Sequence, residues 1–246
     1  GFDIMGKIGQ KKTEAQGFVS SVWQFDGSGG PLPYRWYGTL PEQLIERVLD
    51  LYSPSSGIFL DPFAGTGTSL VLARERGLDV LGLDVNPLAC LISRLRLSKV
   101  PNRSTINSAL ARINRRCENT KETSFDDFIS DKKYEYCRKW WRMDSLIDTL
   151  SLFDSIAQEP DPIIQSIFFV AASEEVRNVA NIDPRCTHHL VTKKKDYIDI
   201  KTGLAEEVDD VMKCLEHHRI SVAGASVVQA DSTDPEIEIG KSSLVL

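Results

Sequence analysis

The sequence predicts an α/β protein in which a parallel sheet is interrupted by a mainly helical insertion. Three observations carry this. Short apolar runs alternate with helical segments through the first hundred residues, and a glycine-bearing loop joins the first run directly to its helix. From residue 104 to 179 that alternation gives way to apolar residues at helical spacing.

The elements follow in order. Gln43 to Tyr52 sets Leu44, Ile45, Val48, Leu49 and Tyr52 on one helical face, behind Pro41 at a first turn. Ile58-Phe59-Leu60, bounded by Pro54-Ser55-Ser56-Gly57 and the glycine loop, is a buried strand. Ser69 to Arg76 predicts a helix stopped by Gly77 in the C′ position. Asp79 to Asp84 is a second buried strand and Leu88 to Leu97 a second helix, the opening of a parallel sheet. The insertion repeats Ile163, Ile164, Ile167, Phe168, Ala171, Ala172, Val176 and Val179 at helical steps. After a loop at Asp183-Pro184-Arg185 and Lys193-Lys194-Lys195, the residues Leu204, Val208, Val211, Met212 and Leu215 mark one more helix. Ser226 to Ala230 is a third strand, ending at Asp231, and Leu244-Val245-Leu246 starts a fourth.

Composition excludes several classes. With 41% hydrophobic and 26% charged residues, 16 Gly and 11 Pro, the chain is neither disordered, collagenous nor a coiled coil. No run of about 18 apolar residues occurs and Gly1 to Gln10 lacks a secretory block, so no membrane association is expected. Cys90, Cys117, Cys137, Cys186 and Cys214 are scattered and odd in number, which points to a reducing cytoplasm rather than to disulfides or zinc. The pairs His188-His189 and His217-His218 do not share a helix face, and no metal site is expected. The chain opens on Gly1 and closes on an apolar run, which reads as a truncation inside a strand.

Net charge is −6, but it is unevenly spread. Residues 91 to 201 hold 19 Lys and Arg against 16 Asp and Glu, leaving 10 against 19 elsewhere. Arg112, Arg115 and Arg116 cluster, and Arg138, Lys139 and Arg142 surround Trp140-Trp141. The Trp pair reads as core packing with one exposed ring. The Lys run reads as a solvated loop or as a set of phosphate contacts.

The chemistry concentrates in Asp61-Pro62-Phe63-Ala64-Gly65-Thr66-Gly67-Thr68, between the first strand and its helix. Glycines there permit a tight turn and a close ligand approach, and the helix start offers N–H groups to the crevice at the strand's carboxyl end. Asp84, 23 residues on and ending the next strand, can accept two ribose hydroxyls. A nucleoside cofactor follows. Neither Gly-x-Gly-x-x-Gly nor Gly-Lys-Ser/Thr is present, and the acidic Asp61 suits a cationic or zwitterionic amino-acid end better than a pyrophosphate.

Asp61 to Thr68 resembles motif I of the S-adenosylmethionine-dependent amino-methyltransferases that act on exocyclic nitrogens of adenine or cytosine in DNA. Gly82-Leu83-Asp84-Val85-Asn86-Pro87-Leu88-Ala89 looks like their motif II, Tyr37-Gly38-Thr39-Leu40-Pro41 like their motif X, and Asp231 stands where motif III contacts adenine. Arg177 to Arg185 is similar to a stretch in a branch with a helical insertion. The resemblance implies a Rossmann-like class I methyltransferase sheet, S-adenosylmethionine as cofactor and double-stranded DNA as partner, and it leaves open a restriction endonuclease partner. The cofactor residues it implies are Tyr37, Thr39, Asp61, Pro62, Phe63, Ala64, Gly65, Gly67, Thr68, Asp84, Val85, Asn86 and Asp231. Lys193, Lys194 and Lys195 are the DNA-contact candidates.

The implied division is an arm at 1–32, a cofactor-binding half at 33–100, the insertion as candidate target-recognition region at 101–201, and a return to the core at 202–246. The family's catalytic Ser/Asp/Asn-Pro-Pro-Tyr is absent from the sequence, so no catalytic residue is assigned and binding without transfer is expected. An RNA amino-methyltransferase and a non-catalytic binding module are the alternatives.

Overall fold

The computed structural model describes residues 32–34, 36, 38–119, 135, 137–183, 193–218, 223–234 and 242–246. Four parallel strands, β1 (Ile58–Asp61), β2 (Asp79–Asp84), β3 (Ala225–Gln229) and β4 (Leu244–Val245), lie in the order β3-β2-β1-β4. The described helices are α1 (Glu42–Tyr52), α2 (Thr68–Glu75), α3 (Pro87–Arg96), α4 (Arg103–Asn119), α5 (Cys137–Trp140), α6 (Met143–Ala157), α7 (Pro162–Val179) and α8 (Lys201–His217). The four expected strands are present, and every element described between β2 and β3 is a helix. Two helix starts are capped by side chains. Asn86 accepts from the Leu88 N–H ahead of Pro87, and Asp161 accepts from Ile163 and Ile164 ahead of Pro162.

Two apolar cores meet at α3. One joins Ile45 and Leu49 of α1 and Leu70, Val71 and Ala73 of α2 to Phe59, Val80 and Val227 of the sheet, with Cys90 and Leu97 from α3. The other joins Ile92 and Leu95 of α3 to Ile106 and Ile113 of α4, Leu152 and Ile156 of α6, Ile167 and Phe168 of α7, and Leu204 and Val211 of α8. Positions 90 and 97 thus face one way and 92 and 95 another, as the 3.6-residue period requires. Among the described residues no helix is long and apolar enough to cross a membrane.

Packing decides two features of the basic middle of the chain. Arg112 and Arg116, one helical turn apart on α4, both reach Glu159, with Nη–Oε distances of 2.6 Å each and a glutamate side chain shut off from solvent. Both are thereby paired with one buried carboxylate at the rim of the bundle. Trp141 is not an exposed ring: it is half-buried against the helical core, beside the buried Trp140. The cause is an anchor, since the Trp140 carbonyl accepts from the Asn181 N–H at 2.7 Å and ties the pair to the end of α7.

Burial would raise the Glu159 carboxyl, but hydrogen bonds from Arg112 and Arg116 outweigh it and hold the group below the usual glutamate range. A depressed carboxyl stabilises the fold above its unfolded pKa, about 4.3, and that contribution is lost as pH falls through the folded value. Glu159→Gln is expected to lower stability at pH 7 by about 2 kcal/mol. Urea melts at pH 7 and pH 4 should then show a smaller acid loss in the variant than in the parent chain.

Candidate functional site

The site grows from the carboxyl ends of β1 and β2, which parallel pairing sets side by side: Asp61 stands opposite Gly82, two residues before Asp84. Asp61 is buried. Its Oδ1 accepts from the Phe63 N–H at 2.9 Å, and its Oδ2 accepts from the Ser69 hydroxyl at the start of α2. Burial pushes its carboxyl up despite those bonds, and the nearby Asp84 adds to the effect. The residue therefore gains from any cation brought to it.

Asp84 is bonded on both oxygens. Oδ2 accepts from the Gly65 N–H and Oδ1 from the Asn86 N–H, each at 2.8 Å. Within the loop the backbone is already committed, since Gly65 donates to Asp84 and Ala64 donates to the Leu83 carbonyl. Asp84 consequently anchors the loop. A carboxylate offers about four acceptor directions, so a ribose can still be received alongside.

Between the two carboxylates, Ala64 to Gly67 forms a β-turn closed by the Gly67 N–H on the Ala64 carbonyl at 2.8 Å. Gly67 sits at φ +79°, and a Cβ there would lie 2.7 Å from Ser93 Oγ. Gly82 lets α2 approach the sheet, since a Cβ would come within 2.4 Å of Leu70 Cδ1. No side chain caps α2, whose first residues Thr68 and Ser69 line a cleft together with Asp61, Phe63, Ala64, Gly65 and Thr66. Trp36, Gly38, Thr39 and Leu40 form its other wall, where Thr39 donates to the Trp36 carbonyl at 3.3 Å.

The remaining sequence candidates are placed as follows. Pro62 lies in the loop, half-buried, and Phe63 and Val85 are exposed at 73% and 69% beside the two strand ends. Asn86 caps α3. Thr68 turns its hydroxyl inward to accept from Arg96. Asp231 follows β3 on the far side of β2, and its Oδ1 accepts from the N–H and the hydroxyl of Thr233, at 2.9 and 2.7 Å. Tyr37, His188 and His189 lie outside the described residues. Lys193 and Lys194 are exposed, while Lys195 is half-buried and its ammonium donates to the Arg177 and Asn178 carbonyls at the end of α7. Among the described residues no group of His, Cys, Asp and Glu gathers as a metal site.

Sequence reasoning did not single out Trp36, Ser69, Ser93 or Arg96. Trp36 adjoins the motif X run, which is a signal of a kind. Ser93 and Arg96 act over 28 and 30 residues, and no local pattern marks them.

Comparison with known proteins agrees with this geometry. Residues 7–94 match the model of a family described as DNA methylase. The chain is 32% identical over 115 residues to the Type II methyltransferase M.MjaII of Methanocaldococcus jannaschii, covering 46% of this chain and 21% of that protein. It is 27% identical over 151 residues to M.MvaI of Kocuria varians, covering 56% and 32%, and 30% identical over 100 residues to M2.DpnII of Streptococcus pneumoniae, covering 39% and 35%. These matches span between about a fifth and a third of the relatives' own lengths.

Gly67→Ala tests the turn. Left-handed backbone with a side chain costs roughly 1–2 kcal/mol, and the contact with Ser93 adds to it, so a loss of about 2 kcal/mol is expected in urea melts.

Proposed function

We propose, from the match of residues 7–94 to the DNA methylase family model, that the chain belongs to the DNA amino-methyltransferases, binds S-adenosylmethionine across the 61–68 loop and serves methyl transfer to an exocyclic amine of adenine or cytosine in DNA. The observation that carries this reading is the pair of strand-end carboxylates on either side of one glycine turn, with Asp84 bonded to Gly65. Bound, the cofactor supplies an electrophilic methyl group on a sulfonium. This chain's residues orient it: Asp84 receives the ribose hydroxyls and Asp61 the ammonium of the amino-acid end. Phe63 and Val85 offer exposed apolar surface to the nucleoside.

Transfer itself needs acceptors for the hydrogens of a target amine whose lone pair is delocalised into its ring, on a base taken out of the stack. The family's Pro-Pro-Tyr element provides them, and these 246 residues contain none. Cofactor binding without transfer is the expected behaviour. The Type II designation of the relatives supports a role in modification beside a restriction endonuclease.

Calorimetry with S-adenosylhomocysteine is the direct test. Asp84→Ala should reduce affinity roughly 10- to 150-fold, through loss of about 1.5–3 kcal/mol of charge-assisted bonding, and labelled-methyl incorporation into DNA should stay at background for the unaltered chain. Unchanged affinity in the variant would remove the ribose from Asp84.

Duplex DNA as partner rests on fewer cations than composition implied. Arg103, Arg112, Arg116, Arg142 and Lys201 all pair with carboxylates of the chain. Lys193 and Lys194, exposed on the loop before α8, are the candidates for phosphate contacts there. Converting both to Glu should flatten the log–log salt dependence of DNA affinity by about 1.8, and an unaltered slope would make the loop merely solvated.

A further inference from the structure

Beneath the glycine turn, α3 presents two polar side chains one turn apart. Ser93, fully buried, donates from Oγ to the Gly65 carbonyl at 2.8 Å. Arg96, 4% exposed, donates from Nη1 to the Thr66 carbonyl at 3.0 Å and to Thr68 Oγ1 at 2.9 Å. Its Nη2 lies 3.5 Å from His218 Nε2, and His218 in turn contacts Glu75 on α2. Keeping a guanidinium this far from water is unfavourable unless its donors are used, and here Nη1 is given to the loop twice over while Nε is left without a partner.

The carbonyls they hold belong to consecutive peptides of the Ala64–Gly67 turn. The central peptide of a β-turn is the part that distinguishes one turn type from another by flipping. In a trans peptide the C=O and the following N–H point in opposite directions, so the bond from Ser93 to Gly65 C=O sends the Thr66 N–H away from α3, toward the cleft that Thr66 lines. A flipped peptide would put a carbonyl oxygen there instead.

We infer that Ser93 and Arg96 are positioning residues that lock this peptide, so that the Thr66 N–H receives the carboxylate of the cofactor's amino-acid end. The inference rests on the proposed S-adenosylmethionine reading and adds to it the residues that make the loop selective for a ligand carrying that carboxylate. Neither side chain touches the ligand.

Two ligands separate positioning from general support: S-adenosylhomocysteine, and 5′-methylthioadenosine, the same nucleoside thioether without the amino-acid end. Calorimetry on the full chain should show Ser93→Ala and Arg96→Lys each weakening S-adenosylhomocysteine about tenfold, the size of one hydrogen bond, with 5′-methylthioadenosine held within about twofold. Should Arg96→Lys fail to fold, Ser93→Ala decides alone, because it removes one hydroxyl and no charge. Equal weakening of both ligands, or no weakening of either, would overturn the inference while leaving the cofactor reading intact. Failure of the unaltered chain to bind either nucleoside would overturn that reading, and the inference with it.

Discussion

Helix α3 is packed on both sides, and the placement of the glycine turn follows from that double burial. Ile92 and Leu95 enter the helical core while Cys90 and Leu97 enter the core of the sheet. Burying an aliphatic side chain of this size contributes about 1.5–3 kcal/mol, so the helix can neither rotate nor slide without losing several such contacts. Ser93 and Arg96 are therefore presented to the turn at a fixed height. On the opposite edge Arg94 donates to the Val227 carbonyl at 3.0 and 2.9 Å, which ties the same helix to β3.

This arrangement makes the helical segment part of the glycine turn's support. Helices α4, α6, α7 and α8 bury their apolar faces against one another and against α3. Their polar groups serve the same end. Glu159 collects Arg112 and Arg116, and Arg103 on α4 joins Asp209 and Glu216 of α8. Cys214 of α8 lies in the electrostatic neighbourhood of Arg96, and its thiol is pushed up to about 11, first of all by burial, so it remains a neutral packing group.

The electrostatics of the turn show why so few groups suffice. Burial raises the Asp61 carboxyl, and the neighbouring Asp84 adds to the effect. Each is compensated locally, Asp61 by Ser69 and the Phe63 N–H, Asp84 by the N–H groups of Gly65 and Asn86. A cation brought to such a place relieves the carboxylates.

The sequence by itself determined the strands, the glycine turn and the paired carboxylates. Each depends on chemistry confined to a few neighbouring residues: a buried apolar run, a glycine at positive φ, an Asn ahead of Pro87. Tertiary structure decided which of those groups were available. It committed the Gly65 N–H to Asp84, turned Thr68 toward Arg96, drew Lys195 onto the end of α7, and spent Arg112 and Arg116 on Glu159. It also half-buried Trp141, and it brought Ser93 and Arg96 under a turn 28 and 30 residues away. A hydrogen bond formed across such distances depends on how helices pack, and packing satisfies buried donors and acceptors with whatever the fold brings near. Short-range pattern records which groups exist, and only the packed chain assigns their partners.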